Sequence, residues 1–186
     1  MTDFEFLSVL ISILIGFGLT HLLSGLGRAF HFRLKNKMDA VHIAWTTTIF
    51  FVFVLNWWIF LLWRDTGTWT FPTFFTIVLW TISMYTLALA LYPPHLPEDV
   101  SYRDLFETNR TWFLSMFTIM CLLDILVTGQ REGAIPELFY LAFVGHYALI
   151  GAIGIVFRNR TYDLVAAWYI AATMMLWSFG VRGTLG

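Results

Sequence analysis

The sequence predicts an all-α integral membrane protein: six transmembrane helices in one compact bundle with short loops and both termini outside. Three observations predict it. Of 186 residues, 59% are hydrophobic and only 12% are charged, against about 45–50% and about 25% in ordinary soluble domains, and one small soluble core cannot hide so much apolar surface. Six runs approach the roughly 20 apolar residues that a spanning helix needs. These runs are continuous, whereas a membrane barrel would show alternating segments of about ten residues.

The six spans are 5–28, 41–63, 70–92, 106–127, 137–157 and 162–181, one transmembrane domain over 1–186. The first opens on "MTDFEF", which carries Asp3 and Glu5 and no positive charge before Arg28. A cleaved signal peptide begins with a basic region, so the first span is expected to be retained. The breaks that follow are "RLKNKMD", "RDTGTW", "PPHLPEDVSYRD", "TGQREGAIP" and "RNR". They hold most of the charges and Pro93, Pro94, Pro97 and Pro136, the residues that punctuate helices. Pro72 falls in the first turn of the third span, where its missing N–H is not needed. Residues 101–110 read as an amphipathic extension of the fourth helix, with Ser101 as N-cap, Asp104 three residues on, and Arg103 and Glu107 paired four apart.

Cytoplasmic loops are enriched in lysine and arginine. With the N-terminus outside, the inner side collects Arg28, Arg33, Lys35, Lys37, Arg103, Arg110, Arg158 and Arg160, leaving Arg64, Arg131 and Arg182 outside. Trp63, Trp69 and Trp177 fall near outer ends and Trp45 near an inner end, where indole rings favour the interface. Trp57, Trp58 and Trp80 lie deeper and need a packing partner or a polar contact for the indole N–H.

The stretch "GFGLTHLLSGLGRAFHFR" carries glycines, histidines and arginines inside apolar sequence. On a helix, Gly18, His21, Gly25 and Arg28 share one stripe, and Ser8, Ser12, Gly16, Thr20 and Gly27 share the opposite side. Small residues let helices approach closely in lipid, so both faces are expected to be packed, which makes this the central or interface helix of the bundle. Arg28 stands about 35 Å from Glu5, at the inner headgroups, where it can snorkel.

Ionisable groups within the bilayer are functional candidates by default. Here they are His21 and His42 in the inner leaflet, His146 near the middle of the fifth span, Asn56 in the outer half of the second, Asp124 near the outer end of the fourth, and Glu5 at the outer surface. The series Glu5, Asp124, Asn56, His146, His21 runs from outside to inside, as an ion or proton path requires. His21 and His42 share a depth, as axial ligands of haem b must. Cys121 is the only cysteine; it cannot form an internal disulfide and reads as a buried small hydrophobe. No G-x-S-x-G, H-E-x-x-H or histidine-box spacing is present, so nothing points to catalysis. A net charge of −1 gives no basic field for nucleic acid.

The order "FEFLSVLISILIGFGLTHLLSGLGR", "NWWIFLLW", "LALALYP", "YRDLFETNRTWF" and "RNRTYD" resembles a group of uncharacterised bacterial multi-pass inner-membrane proteins. The resemblance implies residence in the bacterial inner membrane and no particular mechanism. The expectation for function is a channel or transporter for an ion or small solute. The alternatives are a non-catalytic scaffold or accessory subunit and a haem-binding electron carrier. With so little mass outside lipid, a homo-oligomer or a membrane-protein partner is expected.

Overall fold

A computed structural model describes residues 3–32, 37–61, 63–64, 69–95 and 100–180. The chain is all-α, with six helices long and apolar enough to span a membrane and no strand among the described residues. They are α1 (Asp3–His31), α2 (Ala40–Leu61), α3 (Phe71–Leu91), α4 (Tyr102–Glu132), α5 (Leu138–Val156) and α6 (Arg160–Gly180). Arg33, Lys35, Pro97, Glu98, Asp99 and Arg182, all part of the sequence reading, lie outside the described residues.

Local chemistry sets the helix ends. Thr70 caps α3, its Oγ1 accepting from the Thr73 N–H, and Pro72 sits in the first turn, where no backbone donor is lost. The expected extension of α4 is present: the Ser101 Oγ accepts the Asp104 N–H while the Asp104 carboxylate accepts the Ser101 N–H. Arg103 and Glu107 pair at 2.8 Å. At the far end Gly133 adopts φ 63°, the left-handed conformation that glycine reaches without a Cβ penalty. The 31 residues of α4 rise about 46 Å, so this helix outreaches the bilayer core.

The helix arrangement corrects one expectation. α2, not α1, is central: it packs against α1, α3, α4 and α6, while α1 touches only α2 and α3. The packed stripe of α1 is Leu7, Ile11, Ile15, Gly18, Leu22, Gly25 and Ala29, a three-and-four spacing that keeps one face on its neighbours. A Cβ on Gly18 would overlap the Phe53 ring of α2, and one on Gly25 the Tyr92 ring beyond α3, whereas Gly16 and Gly27 face open space. Two-sided close packing of α1 within the chain is therefore not seen: of the second small-residue face, Ser12 meets Trp57 of α2, while Gly16 and Gly27 face open space.

The core is aromatic. Trp45 is fully buried with its ring 4.9 Å from that of Phe113 and 5.4 Å from that of Phe117. Its indole is turned into the bundle and not towards the lipid headgroups, because α2 is enclosed. Trp63 stacks on Trp80 at 6.5 Å and on Trp69 at 6.3 Å, and Trp57 donates to the Ser12 hydroxyl at 3.3 Å. Outward, Phe17, Phe71, Leu138, Leu149, Val156 and Phe179 are largely exposed. An apolar exterior of this kind is rare on a protein surrounded by water.

Candidate functional site

Six helix ends meet at one pole: the C-termini of α1, α3 and α5 and the N-termini of α2, α4 and α6. Arg28, Lys37, Arg103, Arg110, Arg158 and Arg160 collect there, and we call it the basic end. Two polar junctions form at this end and a third lies deeper towards the opposite one.

The first junction answers why α1 carries a histidine. α3 ends at Leu91 and is followed by Tyr92, Pro93 and Pro94. The prolines supply no N–H, so the last carbonyls of α3 need donors from elsewhere. His42 Nε2 lies 2.8 Å from the Leu91 oxygen and His21 Nε2 lies 2.6 Å from the Tyr92 oxygen. A carbonyl only accepts, so both imidazoles donate through Nε2. Asn109 of α4 reaches the Ala90 oxygen at 3.5 Å. Side chains from three helices thus close the end of a fourth. The Tyr92 ring fills the centre, 4.8 Å from His42, with its hydroxyl 3.1 Å from Thr46 Oγ1. His21 and His42 do meet at one depth, as expected, but an iron between them would need both Nε2 atoms, which are committed to carbonyls, and the space Tyr92 fills. The pair does not fit haem.

The second junction was not legible as a site. Arg110, read as a surface charge of the inner loop, is 5% exposed. Its Nε and Nη2 donate to the two carboxylate oxygens of Asp163, both at 2.7 Å, and Nη2 also reaches the Phe157 carbonyl at 2.9 Å. This bidentate pair ties α4 to the α5–α6 turn. Asn159 caps α6, its Oδ1 accepting from the Thr161 and Tyr162 amides. Nearby, Asp39 accepts hydrogen bonds from Arg160 and from the Val41 and His42 amides. Burial pushes its carboxyl up, but the Arg160 guanidinium and these amides outweigh burial and hold it below the usual carboxylate range. A cavity of about 250 Å³ opens beside the Arg110–Asp163 pair, with Arg158 and Glu107 on its wall.

The third junction lies within the opposite half of the bundle. Asp124 stands eight residues before the end of α4, about 12 Å inside it, rather than at the outer surface. Tyr140 donates a short hydrogen bond to Asp124 Oδ2, and Thr128 Oγ1 lies 3.0 Å from the Tyr140 hydroxyl. Asn56, Cys121, Asp124, Tyr140 and Tyr147 line a cavity of about 40 Å³, room for about one water. Asn56 donates to the Val52 carbonyl of its own helix at 2.8 Å.

Of the five residues expected along a path, only Asn56 and Asp124 share a cavity. Glu5 is on α1, which touches neither α4 nor α5, so Glu5 and Asp124 are not neighbours. His146 sits on the α5–α6 side, with Nδ1 3.2 Å from the Ala142 oxygen and Nε2 3.5 Å from the Tyr169 hydroxyl. His21 is at the α1–α3 contact. The single relay through all five does not form. Comparison of the chain with protein-family models, with curated proteins and with solved structures finds no match.

Proposed function

We propose that this protein is a carrier of a small solute in the bacterial inner membrane, with both termini outside and α4 as its working helix. One observation carries the reading. Arg110 and Asp124 stand 14 residues apart on α4, about 21 Å and close to four whole turns, so both project from one face. Each lines a cavity of its own. Between them the face is Phe113, Phe117 and Met120, with Trp45 packed against the two phenylalanines. Two cavities, each with an ionisable group on its wall and divided by an aromatic layer, suit a closed barrier across which access alternates between the two sides. Ionisable groups held inside a membrane mark proton and solute pathways, and Asp124, with Tyr140 as its donor, is the proton-carrying member of this design.

Flux in proteoliposomes tests this. The full chain is expected to dissipate an imposed pH gradient, and Asp124→Asn to slow that at least tenfold while helical content and elution volume stay unchanged. Equal rates in the two proteins remove the carrier reading.

A second reading, a subunit of a larger assembly, is favoured by the outward small-residue face of α1. A Cβ on Gly16 or Gly27 would meet nothing among the described residues, and small-residue faces are a common means of helix association in lipid. A wild-type protein that carries nothing alone, yet co-purifies with one membrane partner, favours this reading over the first.

A further inference from the structure

We infer that the cavity at the basic end binds a phosphate group, supplied either by a lipid headgroup or by a free phosphate-class anion. This goes beyond the carrier reading and stands without it, because the site can be filled whether or not anything crosses the membrane.

The starting point is Arg110 Nη1. The side chain is 6% exposed, and Nε and Nη2 are used on Asp163 and Phe157. Nη1 is buried without a hydrogen-bond partner among the described residues. A charged donor left unsatisfied in this way is costly, and Arg110 is one of the residues that line the cavity. Arg158 lies on the same wall and donates to a neutral group, the Thr111 hydroxyl, at 3.3 Å. The carboxylates facing the cavity are already engaged: Asp163 holds Arg110, and Glu107 is paired with Arg103 at 2.8 Å. Arg160, also on the wall, is bound to Asp39. What remains, among the described residues, is one unused guanidinium edge and one guanidinium with no carboxylate on it.

That remainder calls for a compact anion with oxygens pointing in several directions. A tetrahedral phosphate offers them, and guanidinium forks suit phosphate oxygens in both geometry and charge. The N-terminus of α6 adds a favourable dipole. Val41 and Phe106 supply an apolar wall, which suits the glycerol end of a lipid. The cavity lies among helix termini at the basic end.

The test uses the full chain in dodecyl maltoside and follows its unfolding temperature. One arm titrates sodium phosphate against sodium chloride at matched ionic strength. The other titrates dioctanoyl phosphatidylglycerol against dioctanoylglycerol, which lacks the phosphate. A saturable rise is expected, and Arg158→Gln, whose exposed side chain is not needed for the fold, is expected to weaken it about tenfold. A rise in both arms assigns the phosphate itself, a rise with the lipid alone assigns a headgroup, and a rise with phosphate alone assigns a free anion. No saturable rise in either arm overturns the inference. So does an equal effect of dioctanoylglycerol, or an affinity unchanged in Arg158→Gln.

Discussion

Asp163→Ala is expected to cost about 3–5 kcal/mol, the loss that follows when one partner of a buried ion pair is removed. The Asp163 side chain is 5% exposed and holds Arg110 through two parallel hydrogen bonds. Without it the guanidinium keeps, among the described residues, only the Phe157 carbonyl as an acceptor and stays largely buried. The unfolding temperature in detergent should fall by about 6–20 °C, given about 2–4 °C per kcal/mol for a chain of this length. The double variant Arg110→Met, Asp163→Leu should recover most of the loss, because well-packed apolar residues often replace a buried pair at no cost. If Asp163→Ala melts with the wild type, the pair is not buried as described.

Gly25→Leu is expected to cost about 3 kcal/mol, from overpacking together with a lost hydrogen bond. The Tyr92 ring against Gly25 cannot yield, since Tyr92 is 2% exposed and is held by Thr46 and by the edge of His42. A leucine there pushes α1 off α3 and takes His21 away from the Tyr92 carbonyl. Gly16→Leu is the matched control. It meets open space within the chain, and replacing a helical glycine gains up to about 1 kcal/mol of propensity. Unfolding of the three proteins side by side checks both expectations. A Gly25→Leu protein as stable as the control would show that α1 does not dock through this face.

The parts of the fold that follow from local chemistry were legible in the sequence. Ser101, Asp104, Arg103 and Glu107 interact within one or two helical turns, so spacing alone specifies the capping box and the ion pair. Gly18 and Gly25 were readable as packing positions because a helix fixes which residues share a stripe. The neighbours of a stripe are a different matter. Both faces of α1 carry small residues, and nothing local says which one meets the bundle. Nor could the sequence show that His21 and His42 donate to the end of another helix. That role depends on α3 stopping at two prolines beside them, a fact written some fifty to seventy residues further along the chain. Arg110 reads as an interface charge because it stands near the start of its span; only its meeting with Asp163, 53 positions away, buries it. Asp124 looked peripheral because the span was drawn to 127, whereas α4 runs on to Glu132.

The carrier reading requires the Asp124 cavity to open towards one side of the membrane, and the chain holds its own probe for that. Cys121 is the only cysteine, lines that cavity and is 2% exposed in the closed arrangement. The most direct measurement is labelling of Cys121 in sealed, oriented membranes by a small membrane-impermeant methanethiosulfonate, applied to either side. A carrier that opens outward is expected to be modified slowly from the side bearing the termini and to be protected from the opposite side. A cysteine that stays unmodified from both sides until the protein is denatured would contradict it and leave a closed, static bundle.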